Sequence, residues 1–230
     1  MFIDRSMTKK VITVGPSTGV FEAREIMARN KFRHLPVVEE DGTLIGIVTD
    51  RDIRSALPSA FIGEEEIERE RERLARLKVG DIMTRNPLTV SPENTIEDAL
   101  LLIQRMHVGA FPVVDRHGKL RGILSIRDLV RAFINVLGIE EPGTFLCIVA
   151  EHKVGQLKKI VDVITEERIS FGSVLVARHW EEGKRAIFTY LLTTNVIHVR
   201  KKLEAMGFTL LDPMKWSLDQ LPRTGEEGPE

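Results

Sequence analysis

Thr49-x-x-Asp52 and Ser125-x-x-Asp128 each place a hydroxyl and a carboxylate three residues apart at the end of an apolar run. The stretches around them, GIVTDRDIRSA at 46–56 and GILSIRDLVRA at 122–132, match in register, with Arg51 and Arg127 in the same place. The spacing is that of a helix capping box, in which hydroxyl and carboxylate satisfy free N–H groups of the first turn. The corner could also serve a ligand. A helix N-terminus attracts phosphate, and an aspartate beside it can accept from ribose hydroxyls. Arg51 and Arg127 favour that use, because the macrodipole disfavours a cation in a first helical turn unless an anion lies nearby. Gly46 and Gly122 interrupt otherwise branched strands, which suits close approach by a ligand or another backbone. Nucleotide binding therefore outweighs capping alone, and the two are compatible.

The elements that position these corners are duplicated as well. At an offset of 76 residues, Met7-Thr8 falls on Met83-Thr84, Thr13-Val14 on Thr89-Val90, and LPVVEEDGTLIGIV on FPVVDRHGKLRGIL without a gap. About a third of the positions from 13 to 56 are identical to their counterparts, which chance does not give at a fixed offset. Each copy reads as β-α-β-β-α. ITV and LTV are short β-type runs. The helices that follow carry Val20, Ala23, Ile26 and Met27, or Ile96, Ala99, Leu100 and Ile103, on one face. Ser17-Thr18 and Asn94-Thr95 offer N-caps. Asp41-Gly42 and His117-Gly118 are turn pairs joining antiparallel strands.

Composition bounds the rest. With 230 residues, 43% of them hydrophobic and 29% charged, and a net charge of −1, nothing global recruits nucleic acid or an acidic membrane. No run approaches the roughly 18 apolar residues of a membrane span, and the start shows no signal peptide, so a cytoplasmic protein is expected. Cys147, the only cysteine, reads as a small buried hydrophobe in a strand. The six histidines show no metal-ligand spacing, and no serine sits in a Gly-x-Ser-x-Gly elbow. No catalytic residue and no metal site is expected.

The xP-VV strand, the Asp-Gly or His-Gly turn and the Gly-h-h-Thr/Ser-x-x-Asp corner (h apolar), present in both copies, resemble the cystathionine-β-synthase (CBS) domain, which occurs in tandem pairs that bind adenine nucleotides. The resemblance covers roughly residues 7–137 within a tandem pair over 1–140: repeat one about 7–57, a charged linker 58–79, and repeat two about 80–140. It implies a pseudo-twofold pair with two clefts. One would combine Thr13, Val14, Phe32, Arg33 and His34 with Ser125, Arg127 and Asp128. The other would combine Thr89, Val90, Val108, Gly109 and Ala110 with Thr49, Arg51 and Asp52. Arg33, Arg127 and His34 would suit the first cleft to charged AMP, ADP or ATP, with Mg²⁺ admissible beside ATP. The second would bind weakly, stay empty, or take a less charged S-adenosyl compound.

Between the copies, Glu65-Arg69 and Glu72-Arg76 are i,i+4 pairs on a solvated linker helix. The alternative is a partner or dimer contact through Phe61, Ile62, Ile67, Leu74 and Leu77. After GIEEPGT the pattern changes. TFLCIVAEH is a strand, and Val154, Leu157, Ile160, Val161 and Ile164 mark a helix face. ISFGSVLVAR is a strand, HWEEGKR a turn and AIFTYLLTT a strand. Val196, Val199, Leu203 and Met206 stripe a second helix that Gly207 can end, and FTLLD closes. The order βαββαβ is a ferredoxin-like pattern, so the fold class is α+β. Over 143–216 it resembles an ACT domain, a regulatory module that often binds amino acids at dimer interfaces. His152, Lys153, Val154 and Gly155 fall on that family's ligand loop, with Gly155 and Leu157 kept and its aspartate missing, so a purely dimerising role is equally open. Residues 217–230 read as a disordered tail.

The order CBS-CBS-ACT resembles the acetoin-utilisation protein B type of bacterial regulatory protein. It implies a non-enzymatic sensor of adenine nucleotides, a homodimer that signals through its shape or to an unknown protein partner, without nucleic acid or membrane. A constitutive scaffold whose corners are only capping boxes is the alternative.

Overall fold

The computed structural model describes residues 1–56 and 76–211. The paired charges at Glu65-Arg69 and Glu72-Arg76, the apolar contacts at Phe61, Ile62, Ile67 and Leu74, and the tail 217–230 lie wholly or partly outside the described residues. The chain divides into two units at Val130/Arg131.

In the first unit, helix α1 (Val20–Asn30) is followed by strands β1 (His34–Val38) and β2 (Leu44–Thr49), helix α2 (Asp50–Ala56), a single turn α3 (Val79–Ile82) and the short β3 (Thr84–Arg85). Then come α4 (Ile96–Met106), β4 (Ala110–Val114), β5 (Leu120–Ser125) and the start of α5 (Ile126–Leu137). The two hairpins repeat each other down to their irregularities. His34 pairs with Thr49 and Ala110 with Ser125, and both ladders slip at the second valine, between Val37/Val38 and Val113/Val114. Gly42 and Gly118 turn with φ of 82° and 73°, a region a side chain disfavours. The ITV and LTV runs reduce to single parallel bridges, Val14 to Val37 and Val90 to Val113.

The leading segments are exchanged between the repeats. Thr84 pairs with Ile47 of repeat one, whereas Thr8 bridges Ile123 of repeat two. Val20 N–H donates to Leu77 O (3.1 Å) and Ile96 N–H to Met1 O (2.8 Å). Each repeat's first helix is thus closed by the chain that precedes the other. Val79 and Met83 accordingly belong to the core of repeat one, with Val20, Ala23, Met27, Leu35, Val37, Val48 and Ile53. Leu77, considered above as a partner contact, packs against that core. The exchange also accounts for the strand glycines. A Cβ on Gly46 would lie 2.5 Å from Met83 Sδ and 3.1 Å from Thr84 O; on Gly122 it would lie 2.5 Å from Met7 Sδ and 3.0 Å from Thr8 O. The close neighbour is another segment of this chain.

The helix starts differ from the expected caps. Thr95 caps α4 in a reciprocal box with Asp98, but α1 begins at Gly19 with no side-chain cap, so Ser17 and Thr18 do not play that part.

The second unit runs β6 (Thr144–Glu151), α6 (Gln156–Glu166), β7 (Phe171–Glu181), β8 (Lys184–Leu191), α7 (Ile197–Ala205) and β9 (Thr209–Leu211), the expected βαββαβ order. Its four-stranded sheet has the order β7-β8-β6-β9, all neighbours antiparallel. Leu146, Ile148, Ile187 and Leu191 pack against Ile160, Val163 and Ile164 of α6 and Val199 and Leu203 of α7. The inward face of α6 therefore omits Val154 and Leu157, which are exposed, and Met206 is exposed beyond α7. On the other sheet face Phe145 stacks on Phe188, and Trp180 meets Phe188 edge-on. The predicted HWEEGKR turn is shorter than expected, because β7 continues to Glu181 and Gly183 makes the reversal with φ of 69°.

Candidate functional site

Both corners form their capping boxes. Thr49 donates to Asp52 Oδ2 through its backbone N–H (2.8 Å) and its hydroxyl (2.6 Å), and Asp52 N–H donates back to Thr49 Oγ1 (3.2 Å). Ser125 and Asp128 repeat the pattern at 2.9, 2.6 and 3.3 Å. What differs is the second carboxylate oxygen. Thr8 Oγ1 donates to Asp128 Oδ1 (3.2 Å), and Asp128 is buried, 4% exposed. Asp52 is partly exposed, and among the described residues its Oδ1 accepts no hydrogen bond. Thr84, the counterpart of Thr8, stands instead on the wall of an open cleft.

That cleft has a volume of about 660 Å³. Repeat one contributes Thr49, Arg51 and Asp52, and repeat two Val108, Gly109 and Ala110, as the resemblance grouped them. Thr89 and Val90 are absent from its lining; Val90 is buried, its N–H and C=O bonded to Pro112 and Val114. Arg33 and His34, assigned above to the other cleft, line this one. His34 lies directly opposite Thr49 in the ladder. Its ring occupies the space that glycine leaves at 109, since a Cβ there would sit 2.9 Å from His34 Nε2. Burial and the Arg33 guanidinium hold the His34 imidazole below the usual histidine range, against a smaller upward pull from Asp52.

The residues expected to form the other cleft are dispersed differently. Thr13 borders a small depression of about 200 Å³ with Lys9, Val38 and Arg121, Val14 is buried, and Phe32 packs on the core of repeat one. Ser125, Arg127 and Asp128 do not line the large cleft, although Ile126 between them does.

Sequence reasoning missed Thr84, Pro87, Leu88 and Ile103, which line the cleft, and Asp50 and Arg54, an ion pair at 2.8 Å on its rim. The repeated Met-Thr pair was a usable signal for Thr84. Nothing in the spacing marked Pro87 or Leu88.

The loop His152–Gly155 is exposed throughout. His152 N–H donates to Gly183 O (2.8 Å) and its Nε2 meets Arg185 Nη2; Lys153 pairs with Glu151 at 2.7 Å; Gly155, with φ of 92°, precedes α6. Only His152 of the four borders the depression beside the β7–β8 turn. Among the described residues, no group of three or more His, Cys, Asp or Glu side chains could hold a metal ion, and no helix is long and apolar enough to cross a membrane.

The CBS domain family model matches residues 3–59 and 79–135. A CBS domain-containing protein of Dictyostelium discoideum is 36% identical over 137 residues, covering 60% of this chain and 94% of that protein. The crystal structure of CBSX2, a CBS-pair protein from Arabidopsis thaliana, in complex with AMP shares 34% identity and a TM-score of 0.50 over 58% of this chain and 96% of its own. A putative acetoin utilization protein from Vibrio cholerae has the same fold, with 23% identity and a TM-score of 0.51 over 62% of this chain and 98% of its own.

Proposed function

The chain belongs to the CBS-domain family, and on that premise we propose that it is a non-enzymatic regulator binding an adenine nucleotide in the cleft beside Asp52. One observation carries the reading. Among the described residues, Asp52 Oδ1 is unengaged at a helix start, within a cleft of nucleotide size that Arg33 and Arg51 also line. A carboxylate there can accept from ribose hydroxyls, and the two guanidiniums can meet phosphates. Ile47, Leu88, Ile103, Val108 and Ile126 supply apolar surface for a base. The AMP complex of CBSX2 supports the ligand class. AMP, ADP, ATP and an S-adenosyl compound are the candidates, with Mg²⁺ accompanying ATP. The Asp128 corner is the structural one of the pair, since Thr8 already takes its second oxygen.

The ligand acts by binding one state of the chain better than another, and the readout is a change of dimer shape or of a protein partner's affinity, in the cytoplasm. In the same proposal the βαββαβ unit is an ACT-like domain. Its role is pairing two chains, because among the described residues the loop 152–155 is exposed and meets only the open depression beside the β7–β8 turn, through His152.

The second reading, a constitutive scaffold, is favoured by both capping boxes being closed by protein groups alone. Thermal unfolding with saturating AMP, ADP, ATP and S-adenosylmethionine separates the two. Ligand at a hundredfold its dissociation constant adds about 2.7 kcal/mol, a shift of several degrees. The shift should vanish in Asp52→Ala and persist in Asp128→Ala. No shift with any of the four leaves the scaffold as the account.

A further inference from the structure

We propose that His34 lets the cleft read its ligand's phosphate tail through a proton: a phosphorylated nucleotide binds with uptake of a proton by the imidazole, so acidification favours it over the bare nucleoside. The inference rests on the nucleotide reading above and deepens it.

The geometry places the ring where a tail would pass. His34 is opposite Thr49, next to the helix start that carries Asp52, and fills the space beside Gly109. In the other repeat the same ladder position is Ala110, opposite Ser125, and Ala110 lines the same cleft, so of the two equivalent positions only His34 offers it a titratable group. The charged and titratable groups lining it with His34 are Arg33 just before β1, Asp50, Arg51, Asp52 and Arg54 from α2, and His107 at the end of α4. Asp50 is paired with Arg54, which leaves Arg33 and Arg51 as the other cations of the cleft, and Arg33 and Asp52 as the charges that act on His34. Without ligand, burial and Arg33 outweigh Asp52 and favour the neutral ring. A phosphate reverses the balance, because a nearby anion stabilises the imidazolium. The ring gains its proton from buffer as the tail arrives, and adenosine, with no phosphate, brings no such change.

Titration calorimetry on the full chain, at about pH 7.5 and about pH 6 and in buffers of different ionisation heat, measures the protons taken up with adenosine, AMP and ATP. The comparison is wild type against His34→Gln, which cancels the ligand's own phosphate titration. ATP should bind the wild type with extra proton uptake, its affinity rising on acidification by up to about tenfold per pH unit relative to the variant. The protons taken up with adenosine should not differ between the two proteins. The His34 ring followed by NMR in the wild type, with and without ATP, should titrate at higher pH in the complex, and this readout does not depend on the variant folding. Equal proton counts in both proteins, a ring titration that ATP does not move, or the same excess uptake with adenosine would overturn the inference and leave the nucleotide reading standing. Failure of all three compounds to bind overturns both.

Discussion

Asp128 and Asp52 occupy the same place in two copies of one motif, yet only Asp128 is held on both oxygens and removed from water. Replacing it with alanine removes the buried acceptor of the half-buried Ser125 hydroxyl and backbone N–H and of the Thr8 hydroxyl, at a cost of about 1–3 kcal/mol. Asp52→Ala loses a capping interaction in a partly exposed setting, about 1 kcal/mol. Urea midpoints should rank Asp128→Ala below Asp52→Ala, the reverse of their ranking in nucleotide binding. The sequence displayed both capping boxes, since Thr-x-x-Asp and Ser-x-x-Asp are local. It could not display the difference between them, because Thr8 lies 120 residues from Asp128. Separation along the chain also hid the neighbours of Gly46 and Gly122: a glycine in a strand announces close approach without naming what approaches.

At the scale of elements, the two repeats begin their first helices by different means. Helix α4 has the Thr95–Asp98 box, while the first turn of α1 relies on backbone carbonyls, including that of Leu77. Thr95→Ala should therefore lower stability by about 1 kcal/mol, whereas Thr18→Ala should change it by only a few tenths of that; thermal unfolding of the two variants checks this. The turns at Gly42 and Gly118 and the antiparallel pairing of each hairpin follow period-two patterning and turn chemistry, and were legible. In the second unit the periodicity located α6 but misplaced its inward edge. Val154 has the right spacing, but Gly155 adopts a positive φ ahead of the helix, so Val154 stands outside it and Leu157 in an outward-facing first turn. The HWEEGKR segment misled in the opposite sense. Its polar residues read as a loop, although the ladder between β7 and β8 resumes at Glu181 and Lys184.

For the whole first unit, the exchanged leading segments decide which residues depend on which. Ile3 is fully buried and Met7 nearly so, both on the side of repeat two. Ile3→Ala should cost about 2–5 kcal/mol. In hydrogen exchange, deleting residues 1–8 should expose the amides of Ile96 and Ile123 before those of β1, although β1 is far nearer the cut in sequence. Faster exchange in β1 than at Ile123 would mean that the repeats are self-contained. The same segment sets a timetable during synthesis. Residues 1–8 leave the ribosome well ahead of Ile123, which emerges more than a hundred residues later, on the order of ten seconds at ordinary elongation rates. Through that interval Ile3 and Met7 lack their native cover, while repeat one lacks the strand that Thr84 will bring. The nascent chain thus cannot finish one half and then the other. It must hold both open until the second hairpin arrives, which makes the span between first and last contact the time when a chaperone has most to protect.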